Sequence, residues 1–265
     1  MEQSAAHYYQ KGWQHFEFDP KLFDWVQIAL PFAESAINEP KNAQWLRSDG
    51  TWFVGVNALP NTYTGAIGDS GPLGGDAVSF IRNEINISRF EFDQAQISVC
   101  YPGYPRPSAD ESHNAYLYRV KRDAAHVDGF RAQGDLRRRF LDEYHHFILG
   151  IPLVEFSEDA APFVVWEGSH GIIRSVMLER YKNIPTENWV NEDVTDAYKE
   201  ARSLVFKQCK RVEISAKPGE AFLAHRLTVH GIAPWSNNAT ADPRGRMMSY
   251  FRPEGKDANS WLTDL

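Results

Sequence analysis

The sequence predicts a mainly β chain, a sandwich or barrel of the jelly-roll kind with flanking helices (α+β), on three observations. Short alternating or apolar runs recur between residues 95 and 252. Gly- and Pro-bearing turns, such as Pro102-Gly103-Tyr104-Pro105 and Lys217-Pro218-Gly219-Glu220, separate them. The helical period is confined to residues 19–37 and 175–208. No repeat of solenoid length is present.

Taken in order, residues 19–37 read as a packing helix: Asp19 can cap it, Pro20 suits its first turn, and Leu22, Trp25, Val26, Ala29 and Leu30 fall at helical spacing. Residues 41–80, with the Gly-rich run from Gly65 to Gly75, read as a long surface loop with no core of its own. Gly71-Pro72-Leu73-Gly74-Gly75 lacks the Lys-Ser/Thr of a phosphate loop, and no clear helix follows it, so a nucleotide site is not indicated. Strands are expected over 95–101, 114–120, 144–156 and 163–166, the last closed by the polar turn Glu167-Gly168-Ser169-His170-Gly171. Val176, Leu178 and Tyr181, then Val194, Ala197, Tyr198, Ala201 and Leu204, switch to helical spacing and form an insertion over the sheet. Strands resume over 211–214, 221–225 and 246–252.

Of the 265 residues, 43% are hydrophobic and 24% charged, a balance that can bury a large core as one domain with insertions or as two. The net charge of −7 disfavours a nucleic-acid or anionic-membrane partner. The two cysteines, Cys100 and Cys209, form no CxxC pair and suit a reducing compartment. Neither a signal peptide nor an apolar run of about 18 residues is visible. The expectation is a cytoplasmic protein with no membrane partner.

Chemistry concentrates at His126-Val127-Asp128. In an extended segment, positions i and i+2 point the same way, so the imidazole and the carboxylate can aim at one metal ion. Alone, the triplet reads as well as a surface-loop histidine beside a solvated Asp. A third candidate ligand, His230, makes two histidines and a carboxylate, a facial set that leaves three positions open and suits non-haem Fe(II) and O2 chemistry. His225 lies five residues from His230, so an extended chain turns the two to opposite faces and only one serves. Arg246 opens the last strand on the face of Met248, Tyr250 and Arg252, and its planar fork can grip the distal carboxylate of a keto-diacid. Arg244 has the same parity and stays a candidate, and a solvated loop after Pro243 would account for both. His145 and His146 alternate to opposite faces of a strand and make a poor second metal motif; Arg137-Arg138-Arg139 reads as a solvated turn, and Trp235 as a pocket wall.

His126-Val127-Asp128, then His230-Gly231 and an Arg opening the next strand, resemble the phytanoyl-CoA dioxygenase-like branch of the Fe(II)/2-oxoglutarate-dependent oxygenases. Residues 165–171 resemble that family's hydrophobic-to-Pro-Gly-Ser-His turn, with Glu167 where Pro is common. Pro218-Gly219-Glu220-Ala221, leading to His230, resembles its Pro-Gly-Asp strand. The resemblance covers roughly residues 95–252. It implies a double-stranded β-helix (cupin-like) core at about 90–255, a helical insertion at about 172–208, and one domain over 1–265. It implies Fe(II) on His126, Asp128 and His230, and Arg246 on the C5 carboxylate of 2-oxoglutarate. With O2, the expected reaction is oxidation, most simply hydroxylation, of a small-molecule substrate as 2-oxoglutarate becomes succinate and CO2. The Arg follows the distal His at longer than usual spacing, with residues 236–243 inserted, which leaves Arg244 open beside Arg246. A metal-dependent hydrolase and a non-catalytic binding module are the alternatives on the same fold.

Overall fold

The major β-sheet of this computed structural model, which describes residues 5–109 and 111–264, runs antiparallel through seven strands. In chain order the elements are α1 (Ala5–Lys11), β1 (Trp13–Phe16), α2 (Pro20–Asn38), β2 (Leu46–Arg47), β3 (Trp52–Gly55), α3 (Asp76–Asn83), β4 (Gln96–Cys100), α4 (His113–Arg122), β5 (Phe130–Gln133) and β6 (Arg138–Leu141). There follow β7 (Phe147–Pro152), β8 (Phe163–Trp166), α5 (Ser169–Tyr181), α6 (Thr195–Gln208), β9 (Arg211–Ile214), β10 (Ala221–His225), β11 (His230–Ile232), β12 (Arg246–Phe251) and α7 (Ala258–Thr263). The major sheet has the order β1-β10-β7-β12-β4-β3-β2, and a minor sheet the order β11-β8-β9. Side chains from both sheets, among them Ile148, Phe163, Val165, Phe222, Met248 and Tyr250, fill the space between them. That is the sandwich the turn-punctuated strands predict. Among the described residues no helix is long and apolar enough to cross a membrane.

The outer face of the major sheet is covered by α2 and α3. Leu22, Trp25, Val26, Ala29, Ala33 and Ala36 form the buried stripe of α2, and Asp19 caps it by accepting from Lys21 N at 2.8 Å. Strand β7 sits between β10 and β12 and is buried on both faces, which is why its sequence is apolar without alternation. The Gly-rich stretch departs from its expected form. Leu59, Ile67 and Leu73 are at most 2% exposed, the Trp25 indole donates to Gly65 O at 2.8 Å, and the helix α3 follows directly. Apolar residues spaced six to eight apart carry no local period, so only long-range packing reveals them as core. Asp19 joins the two helices, since its second oxygen accepts Asp76 N at 2.8 Å. At Gly75, φ +94°, a Cβ would stand 2.2 Å from that oxygen.

Two further expectations are corrected. Residues 114–120 form no strand: they lie within α4, started by Ser112 Oγ, which accepts Ala115 N at 3.2 Å. None of the α4 side chains is buried, so its alternating pattern meets no sheet. The polar stretch at 167–171 is a strand-to-helix junction: Gly168 takes φ +76° and Ser169 starts α5, its hydroxyl accepting Val229 N at 2.9 Å. On α5 the buried side is Ile173, Met177 and Tyr181, whereas Leu178 is exposed. Helices α5 and α6 close a second core with Val127, Trp166 and Trp261.

Candidate metal centre

The His-X-Asp segment is attached to the minor sheet by one pair of backbone bonds. His126 N donates to His230 O at 2.8 Å and His230 N to His126 O at 2.9 Å, which adds the segment to the edge of β11. Close approach here requires glycine: a Cβ on Gly231 would lie 2.1 Å from Asp123 O. Asp123 and Ala124, both at φ +53°, turn the chain out of α4, and the Arg211 guanidinium grips the Asp123 carboxylate with two bonds of 2.7 and 3.0 Å. From α6, Tyr198 Oη accepts Val127 N at 3.0 Å.

This framework brings the two histidine rings to a centroid distance of 4.5 Å. Each ring is oriented by a carbonyl two residues back: His126 Nδ1 is 2.9 Å from Ala124 O, and His230 Nδ1 is 2.9 Å from Thr228 O. A carbonyl only accepts, so each Nδ1 carries a proton and each Nε2 is the nitrogen turned toward Asp128. Asp128 completes the group, with Oδ1 3.2 Å from His126 Nε2 and Oδ2 3.7 Å from His230 Nε2. The three ligand atoms lie within 4.8 Å of one another. Metal bonds of about 2.1 Å at right angles would separate neighbouring ligand atoms by roughly 3 Å, a spacing that the Asp128 contacts of 3.2 and 3.7 Å already approach.

The electrostatics suit a cation. Burial pushes the Asp128 carboxyl up, but Arg252, His230 and His126 outweigh it and hold the group well below the usual carboxylate range. Burial, reinforced by His126 and opposed by Asp128, brings His230 down to about 4, so its ring is neutral at neutral pH. A small cavity of about 130 Å³ opens beside the triad, walled by Trp52, Val54, Ile148, Phe163 and Tyr250, with Gln96 and Arg252 as polar lining. A larger groove of about 760 Å³, lined by Tyr9, Phe90, His146 and Arg226, contains none of the three. The apolar cavity at the triad has all three groups in its lining.

The two candidate arginines part company. Arg246 is 1% exposed; its Nη2 donates to Tyr250 Oη at 3.0 Å, and its plane lies over Phe156 at 5.6 Å. Its Nε and Nη1 are buried and unbonded to any oxygen or nitrogen among the described residues, with the weakly accepting Cys100 thiol beside the guanidinium. Arg244 faces outward and is fully engaged, by Asp242 through Nε (2.6 Å) and Nη2 (2.7 Å), and by Glu34 through Nη1 (2.6 Å). The shared parity does not place it inside, because Gly245 at φ +84° breaks the alternation and β12 begins only at Arg246. Arg252, unassigned by sequence, donates from Nη1 to Asp128 Oδ2 at 3.2 Å. Its place in the alternating row 246, 248, 250, 252 was the one available signal.

The remaining histidines stay outside the group. His225 packs on His170 at 4.8 Å and accepts Leu227 N at 3.1 Å. His145 is buried behind Asp128, where the ladder slips and pairs it with Glu254, and burial takes its pKa down to about 3. Trp235 packs on the cluster of Cys100, Tyr104 and Ala161, and Trp52 walls the cavity in its place.

No protein-family model and no curated protein matches the sequence. Among solved structures the chain is similar to the epimerase SnoN from nogalamycin biosynthesis, in complex with Fe3+, alpha ketoglutarate and nogalamycin RO. The TM-score is 0.50 and the identity 15%, over 100% of this chain and 89% of that one. It is also similar to EctD from S. alaskensis with 2-oxoglutarate and 5-hydroxyectoine, at TM-score 0.46 and 14% identity, over 95% of this chain and 74% of that one. At these identities the likeness establishes architecture: the chain, mainly β with flanking helices, has the fold on which SnoN is built.

Proposed function

We propose that the protein is an Fe(II)- and 2-oxoglutarate-dependent oxygenase, its 265 residues forming one catalytic domain that oxidises a small organic molecule. One observation carries the reading: two imidazoles and an ionised carboxylate converge on one point, on the same sandwich that buries an arginine with two unsatisfied donors. The donor set fits a non-haem iron with open positions. A buried guanidinium lacking acceptors is costly unless an anion meets it, which fits the distal carboxylate of 2-oxoglutarate.

His126, Asp128 and His230 would hold the iron, which with O2 and 2-oxoglutarate would supply the oxidising power, the co-substrate leaving as succinate and CO2. The chain's own residues bind and orient. The Nε2 atoms and Asp128 bind, Arg246 orients the co-substrate by two N–H groups, and Tyr250 steadies Arg246 through its hydroxyl. Trp52, Val54, Ile148 and Phe163 give the cavity its apolar wall.

The test is anaerobic titration of the metal-free protein with Fe(II) and 2-oxoglutarate, followed by succinate measurement after O2 is admitted. Wild type is expected to bind one Fe(II) per chain and then 2-oxoglutarate, and to release succinate; His126→Ala and His230→Ala are expected to bind neither. Equal iron binding by wild type and His126→Ala would sink the reading.

A further inference from the structure

We propose that Arg252 is a positioning residue of the metal centre: it occupies Oδ2 of Asp128, so that the carboxylate presents only Oδ1 to an ion. The inference rests on the reading of His126, Asp128 and His230 as a metal site and adds a restraint on how the site is used.

Three observations carry it. Arg252 Nη1 donates to Asp128 Oδ2 at 3.2 Å, the oxygen 3.7 Å from His230 Nε2, while the other oxygen, Oδ1, is the one 3.2 Å from His126 Nε2. The Asp128 side chain is only 14% exposed, so solvent cannot replace the guanidinium freely. Arg252 is itself held, its backbone N donating to Asp93 Oδ1 at 2.8 Å and its Nη2 reaching Gln96 Oε1 at 3.5 Å. It also lines the cavity beside the triad.

An unrestrained carboxylate can chelate a divalent ion through both oxygens and use up a position that a reactant needs. A charge-assisted bond to one oxygen prevents this. The same guanidinium places a positive charge beside the ion, which opposes metal binding and attracts a dianionic co-substrate into the cavity. Arg252 therefore weakens metal affinity and strengthens 2-oxoglutarate affinity. A merely structural residue would, on removal, loosen both.

The experiment compares wild type, Arg252→Met and Arg252→Lys by calorimetric titration with Mn(II), and then titrates the Mn(II)-loaded proteins with 2-oxoglutarate. The waters on bound Mn(II) are counted by hyperfine spectroscopy in isotopically labelled water. Arg252→Met is expected to bind Mn(II) on the order of tenfold more tightly and 2-oxoglutarate on the order of tenfold more weakly, because one like charge leaves the ion. It is also expected to hold one water fewer on the metal. Arg252→Lys, which keeps the charge, is expected to stay near wild type in both affinities. If Arg252→Met does not fold, Arg252→Gln carries the same comparison. An unchanged water count with unchanged or weaker Mn(II) binding would overturn the role of Arg252 and leave the metal site standing. Wild type that binds no Mn(II) and no Fe(II) would overturn the metal site, and this inference with it.

Discussion

Arg246 is the residue whose state is least explicable without a ligand. Two of its donors are buried and unmet, in a side chain 1% exposed. Hydrogen bonds to charged groups are each worth about 1.5–3 kcal/mol, so removal of this fork costs a carboxylate ligand about 3 kcal/mol or more. Arg246→Met is accordingly expected to weaken 2-oxoglutarate binding to the metal-loaded protein by at least about a hundredfold. Arg244→Met, which breaks only exposed pairs with Asp242 and Glu34, is expected to leave that affinity unchanged. Titration of the two variants side by side checks this. Equal losses, or none in Arg246→Met, would remove the arginine from the site.

At the level of elements, two junctions do more than their sequences suggest. Asp19 serves two helices, one oxygen for Lys21 N in α2 and the other for Asp76 N at the start of α3. A single helix cap contributes about 0.5–2 kcal/mol, so Asp19→Ala is expected to destabilise the fold by about 1–3 kcal/mol in urea unfolding. A cost below about 0.5 kcal/mol would show that neither bond matters. The second junction joins β11 to the His-X-Asp segment. A Cβ on Gly231 would collide with Asp123 O at 2.1 Å, and the segment that carries His126 and Asp128 must then move away from His230. Gly231→Ala is expected to keep a near-native circular dichroism spectrum and to lose about tenfold or more in metal affinity, the scale seen when support around a metal site fails. Unchanged metal affinity would mean that the backbone contact does not set the ligand geometry.

For the whole molecule, buried histidines set the response to acid. Burial lowers His225 well below its usual value, with Arg226 and His170 adding to the effect. Burial likewise lowers His170, and brings His145 to about 3. A histidine with a depressed folded pKa binds its proton only after unfolding, so its stabilising effect is intact above the unfolded value near 6.5 and declines as pH falls below it. Asp93 works in the opposite sense: burial, partly offset by Arg252, raises it to about 6, so the folded state holds its proton between the usual carboxylate value and 6. His146 and His230 are lowered by burial as well, and five histidines against one carboxyl leave a net loss. The urea midpoint of the metal-free protein is expected to fall steadily from pH 7 to pH 5; a midpoint that is flat or rises over that interval would contradict this balance.

The contrast between what was legible and what was not follows from range. Facing of His126 and Asp128 is a property of adjacent residues in extended backbone, and the alternating row from Arg246 is another, so both could be read from the chain alone. The α2 stripe was legible for the same reason, through a period that neighbours enforce. The stretch at 114–120 misled, because alternation says strand only where a sheet receives it, and here a capping serine starts an exposed helix. Residues 41–80 misled in the other direction, since Leu59, Ile67 and Leu73 enter the core through long-range packing without any local signature. The resemblance already points to His230 rather than His225; tertiary structure alone decides that Arg244 turns out and that Arg252 holds Asp128. Each of these joins residues that the sandwich brings together from distant strands, where backbone pairing and burial, rather than any local period, select the partner.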